Sequence, residues 1–236
     1  ANTAWAFATA GVAAPALFEA LAAEAAGRVG EFKPQELANT AWAFVVFGAY
    51  ADGVFLQQMW NAALQCPVAE MPLETLSQLA YARLAMQHEA PQVMLAAPPP
   101  EHECSLARAL TSIEASPSRL QNDVAAMLET LGIAHEHELV LPEGLSVDFL
   151  LPASPGASSL QPTVLEVDGP SHFLREHSRG RHSGGNQRPL ENGPTRFKQR
   201  LMRSMGYRVV QLPYFEWPKS AVERQSYLRE LLLPAA

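Results

Sequence analysis

The first 90 residues place apolar side chains at the spacing of an amphipathic helix, and the pattern recurs along the chain. The heptapeptide ANTAWAF occurs at 1–7 and again at 38–44, a period of 37 residues. A third, degraded copy, LETLSQLAYARLAM, follows at 73–86 with a period of 38 to 39 residues. A tandem unit of this length holds two helices that bury one face on neighbouring units. The pattern therefore predicts stacked helix pairs.

Within the second unit, apolar residues separate into two helices around a turn at Gly48. The first helix carries Leu37, Ala41, Phe44 and Val45 at helical spacing, and the second carries Val54, Phe55, Met59 and Leu64. Asn39 and Thr40 recur as Asn2 and Thr3 in an otherwise apolar helix. These polar residues either contact a ligand in a groove or form caps and hydrogen bonds between repeats.

The proline run AAPPPEHE marks a change in pattern, because consecutive prolines favour an extended spacer. After it, alternating apolar residues predict strands at 135–141, 145–151, 162–168 and 208–212. Predicted helices lie at 106–114, 119–132, from Pro194 to Gly206, and at 218–232, with a loop rich in glycine, arginine and histidine at 176–193. The sequence predicts a mixed fold: an α-helical repeat (solenoid) segment at 1–95, a linker at 96–104 and an α/β domain at 105–236.

Charge is distributed unevenly within a net charge of −7. Residues 1–100 and 101–160 are acidic, whereas residues 161–236 carry 12 basic against 7 acidic residues. The stretch 169–208 holds eight arginines and one lysine against two glutamates. An acidic protein with one basic region can attract a polyanion locally, although a solvated basic surface is the alternative.

Other features of the composition exclude several classes. The two cysteines, Cys66 and Cys104, indicate neither a disulfide framework nor a zinc site, which is typical of a reducing compartment. No run of about 18 apolar residues occurs, so we expect no membrane span. The chain starts at Ala1 inside a repeat, and we take it as a piece of a longer or processed protein.

Two acids interrupt an otherwise apolar strand in VLEVDGPSHF at 164–173. Strand alternation puts Glu166 and Asp168 on the same face. The segments SVDFLL, LEVDGPSHF and NGPTRFKQRLMRSMGYRVVQLPYFEW together resemble the RAP domain over about 117–232. PQELANTAWAF likewise resembles the octotricopeptide-type repeats of organellar proteins, over about 1–90. These resemblances imply a core similar to PD-(D/E)XK nucleases, an RNA ligand, and a mitochondrial or plastid location.

The implied nuclease site would need two carboxylates on Mg²⁺ and a lysine beside them. Asp148 and Glu166 can supply the carboxylates, but the residue two positions after Glu166 is Asp168 instead of lysine. Lys198 could substitute, and His172 could act as general base. The degenerate pattern favours a protein that is not an enzyme and has no cofactor, with Mg²⁺ bound only if the nuclease alternative holds. Glu166 and Asp168 could also serve structural pairing with an arginine or with the following turn.

RNA binding without chemistry has several candidate contacts. Basic side chains and free N–H groups at a helix start together receive phosphates. Aromatic rings at Phe173, Tyr207 and Tyr214 could stack on bases or pack in the core, and Trp217 is expected to anchor the last helix. The candidate RNA-binding residues are Asp168, His172, Thr195, Arg196, Lys198, Arg200 and Arg203.

Taken together, these features predict an organellar RNA-binding protein. It would act in RNA processing or stability, or as a component of a mitochondrial ribosome, on organellar rRNA or mRNA. Protein neighbours would bind through the helical repeats. The rivals are a Mg²⁺-dependent endoribonuclease using Asp148, Glu166, Lys198 and His172, and an assembly subunit with a vestigial nuclease fold.

Overall fold

A computed structural model describes residues 1–51, 53–112, 117–153, 161–174 and 188–232. The chain divides into two compact units that do not follow its order. The helical unit comprises Ala1–Ser112 and His172–Leu201, and the sheet unit comprises Ile113–Ser171 and Met202–Ala236. Of the basic loop predicted at 176–193, residues 176–187 lie outside the described residues.

Helices and strands in the described residues confirm a mixed fold. The helices are α1 (Asn2–Ala10), α2 (Pro15–Ala26), α3 (Pro34–Phe47), α4 (Gly53–Leu64), α5 (Leu73–Glu89), α6 (Pro100–Thr111), α7 (Arg119–Thr130), α8 (Gly193–Ser204) and α9 (Ala221–Leu232). The strands are β1 (Glu136–Val140), β2 (Ser146–Leu151), β3 (Thr163–Asp168) and β4 (Arg208–Pro213).

Helix pairs in the helical unit begin and end where proline and glycine predict. Pro15 and Pro34 occupy the first turns of α2 and α3, where the missing N–H costs nothing. Gly11 and Gly48, one repeat apart, follow α1 and α3 with φ of 61° and 82°. Each glycine completes a Schellman motif, in which the next residue's N–H donates to Phe7 O (3.1 Å) or Phe44 O (2.9 Å). The repeat in sequence is therefore also a repeat in local structure.

Phenylalanines form much of the contact between these pairs. Phe18 stacks on Phe47 with ring centroids 4.1 Å apart and meets Phe44 edge-on at 5.0 Å. Phe44 in turn contacts Phe55 of α4 at 4.9 Å. Val54, which shares the predicted second helix, is exposed because it lies on the opposite side of α4. The α3 helix packs against both α1 and α5, so its buried residues face two neighbours.

The proline run is not wholly extended, in contrast to the linker expected at 96–104. Pro100 begins α6, and residues 100–104 form its first turn, because proline is tolerated at the first helical position. The extended segment before it is held by Trp60, whose indole N–H donates to Ala96 O at 2.8 Å.

The sheet unit contains one four-stranded sheet in the order β1-β2-β3-β4. β1, β2 and β3 are antiparallel neighbours, whereas β4 pairs parallel with β3 after the connection that includes α8. β1 is an edge strand, with His137 stacked on Phe149 of β2 at 4.5 Å. Parallel neighbours require such a crossover connection.

Strand alternation gives the sheet one face that packs against α7 and α9. Apolar side chains from these elements form a single cluster that includes Val124, Leu128, Phe149, Leu151, Leu165, Val167, Val210, Leu212, Leu228 and Leu232. Asp148, Glu166, Asp168 and Gln211 occupy the alternate positions and therefore the opposite face.

Candidate RNA interface

The acidic residues of β2 and β3 lie side by side across the sheet. The β2–β3 register pairs Phe149 with Leu165, so one further step places Asp148 opposite Glu166. Glu166 is in turn level with Gln211 of β4. The strands that carry Asp148 and Glu166 are therefore neighbours.

Both carboxylate oxygens of Asp148 accept hydrogen bonds. Val167 donates its backbone N–H at 2.6 Å, and the Gln121 side chain donates at 2.7 Å. Gln121 also accepts from the Ser118 N–H in the capping box that starts α7. Asp148 therefore connects the start of α7 to the end of β3.

Glu166 and Asp168 are buried, with 3% and 1% of their surfaces exposed. Gln211 donates to Asp168 through its side-chain amide at 2.9 Å, and Tyr214 donates its backbone N–H to the Asp168 carbonyl at 2.9 Å. Burying a carboxylate is tolerated when donors satisfy it. In this position Asp168 supports the end of β3 and the chain that follows β4.

Within the described parts of the chain, no group of three or more His, Cys, Asp and Glu residues is placed to hold a metal ion. The Mg²⁺ site predicted at Asp148 and Glu166, with Lys198 and His172 as its further catalytic members, stays a prediction. His172 is half-buried, with its Nδ1 3.4 Å from the Thr195 hydroxyl. Lys198 is half-buried on α8.

The start of α8 was expected to offer free N–H groups to a phosphate. Asn192 caps this helix, because its side-chain oxygen accepts the Thr195 N–H at 2.9 Å. Thr195 itself is buried. The cap supplies the acceptor that a phosphate would have supplied.

Two arginines of α8 contact the ends of repeat helices. Arg196 donates to the Gly11 carbonyl at 2.6 Å, at the end of α1. Arg200 donates to the carboxylate of Glu89 at 2.9 and 3.1 Å, to Val46 O at 3.2 Å and to Val45 O. Partial negative charge gathers at helix C-termini, and these contacts therefore suit guanidinium groups.

Glu89 also receives the hydroxyl of Tyr50, so three polar groups meet at one point. Burial, aided by the Glu89 carboxylate, raises the pKa of the Tyr50 phenol far above its usual range. Burial alone lowers the pKa of Arg200, but the hydrogen bond and charge of Glu89 outweigh it and raise the pKa. The cluster therefore holds a charged arginine, a carboxylate and a neutral phenol.

Other cations of the sheet unit differ in exposure. Arg208 donates to the carbonyl of Leu232 at 3.0 Å, at the end of α9, and Arg224 pairs with Asp123 at 2.9 Å. Arg203 and Lys219 are exposed. These two retain the solvent access that a phosphate contact needs.

An exposed aromatic pair follows β4 directly. Tyr214 and Phe215 are 39% and 37% exposed, with their rings edge-on at a centroid distance of 5.3 Å. Phe173, by contrast, is buried, and Tyr207 is half-buried with its hydroxyl on Glu143 at 3.2 Å. Phe215 was missed in the sequence because the surrounding PYFEWP reads as a single anchor.

Trp217 provides the anchor predicted for that segment. Its indole N–H donates to Asp123 of α7 at 2.9 Å, and its ring contacts Tyr227 of α9 at 6.3 Å. Trp217 also packs against the apolar cluster of the sheet unit.

These features define a mixed α/β module with a basic crossover helix and an exposed aromatic pair after its last strand. Residues 165–231, from β3 to α9, match the RAP domain family, which confirms that part of the resemblance. The RAP domain is generally an RNA-binding domain. No curated protein matches the chain. Among the helices described, none is long and apolar enough to cross a membrane.

Proposed function

We propose that the protein binds single-stranded RNA in a mitochondrion or plastid, through its RAP region. The match of residues 165–231 to the RAP domain family carries this proposal. The organelle, and a role in RNA processing, RNA stability or a mitochondrial ribosome, rest on the sequence resemblances alone. The solenoid character of the repeats and their use by protein neighbours are part of the same proposal.

The groups that suit RNA binding best are the exposed rings of Tyr214 and Phe215 and the exposed cations Arg203 and Lys219. Exposed rings can stack on successive bases, which is worth about 1–3 kcal/mol per base. Exposed cations add a phosphate contribution that weakens with salt. Tyr214 and Arg203 were candidates from the sequence, whereas Phe215 and Lys219 are added on exposure.

The remaining sequence candidates suit RNA binding less well. Asp168 and Thr195 are buried, and Arg200 is engaged by Glu89 and two carbonyls. Arg196 is exposed, but it donates to Gly11. His172 and Lys198, both half-buried, stay in the proposal as secondary contacts.

Fluorescence anisotropy with a labelled single-stranded RNA of about 20 nucleotides tests the proposal. Truncating Tyr214 and Phe215 together to alanine should weaken binding by at least about 30-fold, because stacking on two bases, about 2 kcal/mol or more, is lost. Val222→Ala is the matched control, since Val222 is an exposed apolar residue of α9 that cannot stack. Arg203→Glu should reduce the salt dependence, whereas Arg119→Glu, outside residues 165–231, should not.

The outcomes separate the rival functions. If the Tyr214/Phe215 variant binds RNA with the affinity of the wild type, the two rings do not contribute to binding. If the wild type does not bind RNA, the proposed function is refuted. With Mg²⁺ present we expect the RNA to remain intact. Cleavage that disappears in Glu166→Gln would instead support the endoribonuclease.

A further inference from the structure

Arg196 and Arg200, called here the arginine stripe of α8, contact two points that lie one repeat apart in the sequence. Arg196 and Arg200 are one helical turn apart and project from the same side of α8. Gly11 and Gly48, which end α1 and α3, are one 37-residue repeat apart. Each arginine donates to a carbonyl at one of these helix ends.

We propose that Arg196 and Arg200 dock α8 on the ends of successive repeat helices, and that Glu89 is a positioning residue for this helix. The stripe then orients α8 for RNA binding without contacting RNA. This inference rests on the proposed function, which it deepens.

A helix C-terminus and a phosphate both present oxygen atoms that attract a positively charged hydrogen-bond donor. The last carbonyls of a helix lack partners within it and carry about half a negative charge together. Arg200 supplies donors to two such carbonyls, at Val45 and Val46, and Arg196 supplies one to the carbonyl of Gly11 directly after α1, as both would to phosphate oxygens. A pattern of basic residues in a sequence is therefore compatible with binding either a phosphate or a helix end. The contacts of Arg196 and Arg200 favour the helix ends.

Glycine makes the close approach possible at two points of this contact. A Cβ atom on Gly11 would overlap the Arg196 guanidinium, and one on Gly193 would overlap the Ala8 carbonyl. At Gly48 the equivalent Cβ would lie 3.7 Å from the Arg200 guanidinium, which is ordinary contact. Backbone of α8 thus approaches α1 closely, while Arg200 reaches α3 through its side chain.

Glu89 explains why Arg200 is held more firmly than Arg196. A carboxylate near the C-terminus of α5 is disfavoured by the helix dipole, so its position there requires compensation. Arg200 and Tyr50 provide it, and the Glu89 side chain is only 7% exposed. Phe197 adds an apolar contact to Tyr81 of α5, with ring centroids 6.4 Å apart. Glu89 and Phe197 therefore fix α8 against the third repeat.

Glu89→Gln should change the RNA affinity in opposite directions, depending on whether Arg200 contacts phosphate or docks α8. If Arg200 were a phosphate contact restrained by Glu89, neutralising Glu89 would release it and tighten RNA binding. If Glu89 positions α8, RNA affinity should fall by roughly 2-fold to 10-fold, the effect of losing one ordered hydrogen bond. Glu19→Gln, the same charge change at an exposed position of α2, is the control.

The full chain is titrated with labelled RNA at several salt concentrations for Glu89→Gln, Arg200→Met, their double variant and Arg200→Lys. We expect both single variants to weaken binding with an unchanged salt slope, and the double variant to be no weaker than either. Arg200→Lys, which can still pair with Glu89, should recover part of the affinity. Tighter binding by Glu89→Gln, or a salt slope that is smaller by about 0.7 in Arg200→Met, would overturn the inference.

A second measurement keeps this inference separate from RNA binding itself. Chemical unfolding of the same variants without RNA should show coupling between Glu89 and Arg200: the double variant should lose less stability than the two single variants added together. If the wild type binds no RNA, the proposed function fails, and docking of α8 is still decided by this coupling. A coupling of zero would refute the docking itself.

Discussion

Replacing Asp148 with asparagine distinguishes a structural carboxylate from a metal ligand. The wild-type side chain accepts from the Val167 backbone N–H at 2.6 Å and from Gln121 at 2.7 Å. Asparagine has one oxygen and one amide, so it can accept only one of these bonds well. Its amide would face a second donor and leave that donor without an acceptor.

The expected loss follows from these two bonds. A hydrogen bond to a charged acceptor contributes about 1.5–3 kcal/mol, and at least one is removed. We expect Asp148→Asn to lower the free energy of unfolding of the sheet unit by about 2–3 kcal/mol. Exchange of the Val167 amide hydrogen should become roughly 30-fold to 150-fold faster if it exchanges by unfolding of that unit.

Hydrogen exchange read by mass spectrometry on peptides that cover β3 measures this change. Glu136→Gln, which removes an exposed carboxylate from β1, is the control and should change exchange little. A catalytic carboxylate behaves in the opposite way, because two acids facing each other repel when no metal lies between them. Stabilisation by Asp148→Asn, or Mg²⁺ stabilisation of the wild type alone, would refute the structural role.

Two further predictions concern the helical unit. Gly48→Ala should lower the free energy of unfolding by about 1–2 kcal/mol, the cost of a side chain in the left-handed region, and Gly11→Ala should lower it more because its Cβ also displaces Arg196. Urea titrations should show this excess disappear in an Arg196→Ala background, and equal losses in both backgrounds would contradict the close approach. The raised pKa of the Tyr50 phenol means that its stabilisation is present below pH about 10 and is lost as pH rises further. Thermal unfolding between pH 8 and 11 should show this loss, and the Tyr50→Phe variant should lack it.

Local pattern predicted most of the secondary structure. Alternation in SVDFLL and TVLEVD identified β2 and β3, and proline and glycine marked the boundaries of α8 near Pro194 and Gly206. These signals act over a few residues, so they survive without knowledge of the tertiary fold. The start of α6 at Pro100 was missed because a proline can either interrupt a helix or begin one.

The partners of charged residues could not be predicted in the same way. Arg200 meets Glu89, which is 111 positions earlier in the chain, and no local pattern specifies that pairing. Asp148 was identified as a chemically important acid, but its acceptor role depends on the register of β2 against β3 and on the α7 cap. Charge patterns identify where a charged partner is required, and only the fold specifies which residue or ligand is that partner.

The grouping of residues 172–201 with the repeats has a consequence for biosynthesis. The ribosome completes α1 to α6 well before it synthesises α8. The nascent repeats therefore lack the arginine that pairs with the Glu89 carboxylate. Closing the intervening segment then has an entropic cost that only the assembled contacts offset. Cutting the gene at the proline run would therefore separate the repeats from residues 172–201, which complete their unit.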